Sequence, residues 1–307
     1  MSMLDQAFIK AYRKGATGPA HVGSRHQRGA RQRYAADVAT YEDPHDPLPA
    51  PHINLRTAAA AKPAAPAPAA SPVAEPAMAA AKPAVESLRP AFEVPRFVWP
   101  PIVDRLISAA FTDFNSLGAL LASRSHQNRK TVLISGCREG DGRSTFAMAL
   151  ARVVATRGLR VALVDADFGH PQLGELLGVV VQTAWEDVFA GGESLEEALI
   201  ESMQERLTLL PLRAAVEHGA LVAGQQKLTQ SLATLRQAYE VVLIDTGPLD
   251  TDAAAIDLAA TLRGAPIDDA LVLRDAGEAS PEDVNIVGRR LAAAGVARWD
   301  IIENFVS

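Results

Sequence analysis

The chain has 307 residues, a formal charge of −6, 48% apolar residues and one cysteine, Cys137. A single cysteine excludes an internal disulfide and a cysteine-built zinc site, and no stretch reaches the ~18 apolar residues needed to span a bilayer. The charge is uneven, because the first 35 residues carry seven basic groups against Asp5 alone, which makes a basic arm on an acidic body. Such an arm either contacts anionic lipid, nucleic acid or an acidic partner, or is a solvated tail. The opening MSMLDQAFIKAYRK has no apolar leader region. The expectation is a cytoplasmic protein, peripheral at the inner face of the membrane.

In chain order, residues 1–14 read as a short amphipathic helix, with Leu4, Phe8 and Tyr12 at helical spacing. A helix this short is marginal alone, so its apolar stripe suggests docking on a partner or a membrane surface. Residues 15–96 read as a disordered linker whose Ala/Pro-rich part cannot use alanine's helix propensity, because repeated proline removes backbone donors. The folded body is expected over 97–307, with a core at 130–307. It opens on one helix behind Pro100 and Pro101, with Ile102, Leu106, Phe114, Leu117 and Leu121 on its apolar stripe and Trp99 packing at its entry. Strands are then predicted at Thr131–Ser135, Arg160–Asp165, Leu207–Leu210, Glu240–Asp245, Ala270–Arg274 and Asp300–Phe305. Helices are predicted near Arg143–Arg157, Val222–Ala238, Asp252–Leu262 and Pro281–Ala294. Continuous apolar strands alternating with helices mean an α/β fold, a mostly parallel sheet with helices on both faces. Ligands of such sheets bind at the carboxyl ends of the strands.

The informative residues sit at those ends. Gly136-Cys-Arg-Glu-Gly-Asp-Gly-Arg-Ser-Thr145 joins the first core strand to the first core helix. Gly140 and Gly142 allow a tight turn whose amides, with the helix N-terminus, form an anion cradle. The layout is that of a Walker A loop, with Cys137 where the strict pattern has glycine and Arg143 at its lysine. Arginine keeps the charge but is planar and favours bidentate contacts. Asp165 and Asp167 leave the next strand as a pair that can face one metal or one attacking oxygen. Asp245 ends an apolar strand in the Walker B manner, where an aspartate holds Mg²⁺. The bland reading is that these acids only cap helices.

These residues resemble the ParA/MinD-type P-loop ATPases, and within them the bacterial tyrosine kinases of exopolysaccharide export, over roughly Arg129–Ser307. The resemblance rests on Glu139-Gly-Asp-Gly-Arg-Ser-Thr145, on Leu163-Val-Asp-Ala-Asp-Phe-Gly-His-Pro-Gln-Leu173 and on Leu243-Ile-Asp-Thr-Gly-Pro248. It implies ATP and Mg²⁺ as ligands. Arg138, Gly140, Asp141, Gly142, Arg143, Ser144 and Thr145 would surround the nucleotide, and Asn304 would read the adenine edge. Arg143 would contact the β- and γ-phosphates. Asp165, with Asp167 beside it, would activate an acceptor hydroxyl, so that Arg143, Asp165 and Asp167 form the catalytic set. Ser144, Asp165 and Asp245 would hold the metal, and Arg138 would reach across a homodimer or higher oligomer. The kinase family carries a tyrosine-rich tail as substrate, whereas the tyrosines here are Tyr12, Tyr34, Tyr41 and Tyr239. Two functions are therefore expected to compete. One is an ATPase or tyrosine autokinase of polysaccharide export. The other is a nucleotide-dependent switch or catalytically weak scaffold that docks a membrane-bound export partner through residues 1–14. No nucleic acid is expected at the core.

Overall fold

The structure is a computed structural model and describes residues 56–57, 88–249, 261–275 and 279–304. The expected helix at 1–14, most of the linker and nearly all of the expected helix at Asp252–Leu262 lie outside the described residues. Within them, the strands are β1 (Arg56–Thr57), β2 (Phe92–Val94), β3 (Thr131–Gly136), β4 (Val161–Ala166), β5 (Ile200–Ser202), β6 (Leu207–Leu210), β7 (Val241–Thr246), β8 (Asp269–Asp275) and β9 (Trp299–Asn304). They form one sheet in the order β1-β9-β8-β3-β7-β4-β6-β5-β2. The run from β9 to β6 is parallel throughout, while β5 joins β6 and β1 joins β9 antiparallel.

The helices are α1 (Pro101–Ala109), α2 (Phe111–His126), α3 (Arg143–Ala155), α4 (Leu173–Leu176), α5 (Leu195–Ala198), α6 (His218–Ala238) and α7 (Pro281–Ala293). Strand side chains alternate between faces, and the central strands are apolar on both. Val132, Ile134, Leu163 and Leu243 pack with Phe114, Leu117, Met148 and Leu150 from α2 and α3. Leu133, Val164, Val242 and Ile244 pack with Leu228, Leu232, Val287 and Leu291 from α6 and α7. This parity also places the site. Gly136, Asp165 and Asp245 continue the odd or even series that faces α3, so all three emerge on the side where that helix begins.

Three expectations on this region change. The body starts before residue 97, because Leu88 is buried and β2, inside the expected linker, pairs in parallel with β5. Flanking prolines at 90 and 95 hid this strand. The single helix expected across Ile102–Leu121 is two helices bent by 91°. Ala110 adopts φ −113° and ψ 32° at the corner, while the apolar stripe runs on through it. Strand β5 was not foreseen, because three residues centred on Glu201 carry no apolar run. Trp99 does pack at the helix entry, edge-on to Phe97 at 6.2 Å, with its Nε1 donating to Glu205 Oε1 at 2.6 Å. No single described helix is long and apolar enough to cross a membrane.

Candidate functional site

Three local features build the loop between β3 and α3. Gly140 (φ 86°) and Gly142 (φ 80°) take the left-handed conformation that side chains disfavour. Gly142 is also the N-cap of α3 and offers no side-chain oxygen, so the amides of Arg143, Ser144 and Thr145 in the first turn meet no protein acceptor among the described residues. Those amides and the helix dipole make the loop's mouth electropositive. The Asp141 carboxylate folds inward, accepting from the Arg138 amide at 2.8 Å. A Cβ at Gly136 would lie 2.8 Å from Arg143 Cδ and 2.9 Å from Asp141 Oδ2, so only glycine leaves room for both side chains.

The end of β7 is laced to β3. Thr246 Oγ1 donates to the Ile134 carbonyl at 3.1 Å, Ser135 Oγ to the Gly247 carbonyl at 2.8 Å, and the Leu249 amide to the Gly136 carbonyl at 2.8 Å. This fixes Asp245 beside the loop, and strand register sets Asp165 directly opposite Asp245. Both are fully buried. Burial, then the Asp245 charge, pushes the Asp165 carboxyl well above the usual carboxylate range. Burial likewise raises Asp245 to about 7, with Arg143 and Ser144 pulling the other way. Ser144 is near enough to favour the charged form, yet neither Asp245 oxygen reaches hydrogen-bond geometry with any described group.

The other acids are already engaged. Asp165 Oδ2 accepts from the Gln172 and Leu173 amides at 3.0 and 2.9 Å, and Oδ1 from the Asp167 amide at 3.3 Å. It therefore caps α4 from a distance. Asp167 accepts from the His170 amide at 3.1 Å and lies 3.5 Å from Arg143 Nη1. Arg143 is buried, and its Nη1 also donates to the Thr246 carbonyl. Burial raises Asp141 above the usual range and lifts the Cys137 thiol to about 12. Arg138 points away from the loop to Asp283 Oδ2 at 3.2 Å, on the capping box that starts α7.

A Gly-rich loop opening a helix, flanked by two carboxylate-ended parallel strands, has a matching family model. The model of ParA, described as NUBPL iron-transfer P-loop NTPase, matches residues 127–307. The chain belongs to the ParA family of P-loop NTPases. Among curated relatives, the septum site-determining protein MinD of Synechocystis is 29% identical over 181 residues, 58% of this chain and 64% of that one. The tyrosine-protein kinase YwqD of Bacillus subtilis is 28% identical over 120 residues, 39% of this chain and 51% of that one. The chain spans less than two thirds of the length of the curated relatives it first matches. The kinase domain of the Escherichia coli tyrosine kinase ETK superposes over 67% of this chain and 75% of that one, with TM-score 0.53 and 20% identity, a likeness of fold.

Within this ParA-family domain the structure gathers the loop residues Arg138–Thr145 and the acids Asp165, Asp167 and Asp245 at one end of the sheet, as the sequence led us to expect. It does not aim the three acids at one cation, and no group of three metal-ligating acids, histidines or cysteines occurs among the described residues. The orphaned oxygens of Asp245 and the nearby Ser144 hydroxyl fit a hard cation. Asp165 spends two acceptor sites of Oδ2 and one of Oδ1 on amides, which leaves a site on Oδ1. Asn304 ends β9 opposite Asp275, and its expected reach to an adenine lies outside the described side chains. Sequence reasoning missed the direction of Arg143. The signal for it was Gly136, which leaves space beneath the loop.

Proposed function

We propose that this P-loop domain binds ATP in the loop Gly136–Thr145 and acts as a nucleotide-dependent switch. The observation that carries the reading is the set of first-turn amides of α3, held open by two left-handed glycines and lacking a protein acceptor. A triphosphate is the anion whose shape and charge suit such a cradle at the end of a parallel strand. A magnesium ion accompanying the nucleotide would rest on Ser144 and Asp245 and would neutralise phosphate charge there. The three amides held by Asp165 and the contacts of Arg143 with Thr246 and Asp167 favour a switch over a phosphoryl transferase, since both side chains are tied into the fold around the loop. The likeness to tyrosine kinases supports autokinase activity as the second reading. With the switch we place a membrane-bound export partner for residues 1–14 and a second copy of the chain as the partner of Arg138.

Mg-ATP is expected to raise the melting temperature of the full chain by mass action, since free ligand at 100 times Kd contributes about 2.7 kcal/mol. Hydrolysis and phosphotyrosine are expected to stay near background. Unchanged melting at millimolar ATP would remove the site, and abundant phosphotyrosine would replace the switch with the kinase.

A further inference from the structure

The phosphate loop uses the carboxyl ends of the parallel strands, and the amino ends lie on the far side of the domain. From β6 across to β9, the residues just before each strand are Arg206, Arg160, Glu240, Lys130, Asp268 and Arg298. The acids of this row are spent within the fold. Asp268 accepts from Arg236 and from the Lys130 and Thr131 amides, and Glu240 accepts from the Arg160 amide at 2.7 Å. Beside them, buried Asp269 pairs with Arg124, Arg129 and Arg298. Outside this neutralised part stand Arg157, Arg160 and Arg206. All three are exposed, and no carboxylate lies within ion-pair distance of their guanidinium groups among the described residues. They share one surface, because β4 and β6 begin side by side and Arg206 Nη1 donates to the Gly158 carbonyl at 3.0 Å. Arg157 Nη2 donates to the Asn115 carbonyl, and the Arg160 guanidinium lies 5.1 Å from the centre of the Tyr239 ring. A guanidinium has five donors, so each fork keeps others for phosphate oxygens, which it fits. Two further observations point outward. Arg206 holds φ 55° in the turn between β5 and β6, where glycine or asparagine is the ordinary choice. An unfavourable backbone kept at an arginine points to a use for its side chain. On the same turn Met203 is 60% exposed. An exposed apolar side chain beside basic groups suits the headgroup boundary of a bilayer and has no counterpart on a nucleic-acid backbone.

We propose that this end of the domain, through Arg157, Arg160, Arg206 and Met203, rests on an anionic bilayer surface and leaves the loop Gly136–Thr145 facing away from it. The inference goes beyond the nucleotide reading and does not depend on it. It is tested by co-sedimentation of the full chain with vesicles of phosphatidylcholine alone and with about one-third phosphatidylglycerol. Preferential binding to the anionic vesicles is expected, weakening as salt screens the charges. A basic residue near such a surface contributes about fivefold. Joint replacement Arg157→Glu, Arg160→Glu and Arg206→Glu is therefore expected to lower the partition by at least about tenfold, with the melting response to ATP unchanged. Arg206→Asn suits the left-handed turn and tests the same contact should the triple variant unfold, with a loss of about threefold or more expected. Equal binding to both kinds of vesicle would overturn the proposal. So would variants that bind like their parent, which would leave the lipid contact to the basic arm at residues 1–35. Duplex DNA that displaces the chain from anionic vesicles would replace the bilayer with a nucleic acid.

Discussion

Gly142→Val is expected to lower ATP affinity by at least about 100-fold, equivalent to about 2.7 kcal/mol, and to lower the melting temperature. Gly142 sits at φ 80° as the N-cap of α3. A β-branched residue there is a genuine backbone outlier, and such strain costs about 1–3 kcal/mol. The strain has one route of relief, which is to rotate the turn so that its amides no longer converge. Calorimetry and a thermal melt together check the result. Gly140→Ala is the milder comparison, because a Cβ there meets nothing within 4 Å and the cost is conformational alone. A valine variant that binds ATP like its parent would place the ligand elsewhere.

Asp245→Asn is expected to stabilise the fold by about 1–3 kcal/mol near neutral pH while altering ligand response. The sign follows from linkage. Burial raises the folded-state pKa of Asp245 from 3.8 to about 7, so between those values the folded chain holds a proton that the unfolded chain has released. Stability is therefore full below about pH 4 and falls as pH rises through about 7. Asparagine keeps the shape and has no charge to bury, which removes this decline. Melts of both proteins across this range provide the check. A variant less stable than its parent at pH 8 would show that the Asp245 charge is compensated in the fold.

Much of this was legible in the residues. The strands β3, β4, β7 and β8 are apolar runs buried on both faces, and such runs have few alternatives to a parallel sheet. Their order alone puts the Gly-rich loop, Asp165 and Asp245 at one end of the sheet. What stayed hidden depends on contacts that spacing does not encode. Phe92–Val94 becomes a strand only because β5 offers an edge, and β5 exists only because β6 turns it back. The corner at Ala110 leaves the apolar stripe unbroken. The engagement of Asp165 depends on α4 returning seven and eight residues later to present its amides. The path of Arg143 depends on the missing Cβ of Gly136 and on a carbonyl in a strand more than a hundred residues away.

Those contacts also bear on how a ParA-family loop with arginine at this position would behave. The guanidinium ties the first turn of α3 to β7 through Thr246 and to the end of β4 through Asp167. A triphosphate entering the loop would compete with Asp167 for the same side chain. Nucleotide binding would then loosen one strand end as it orders the loop, which is the kind of two-position element a switch requires.

Amide hydrogen exchange reads the backbone amides of the loop directly. The measurement is exchange in the peptide spanning 136–146 of the full chain, with and without saturating ATP. Marked slowing in that peptide is the predicted result. Unchanged exchange there, with protection appearing in another segment, would contradict the account.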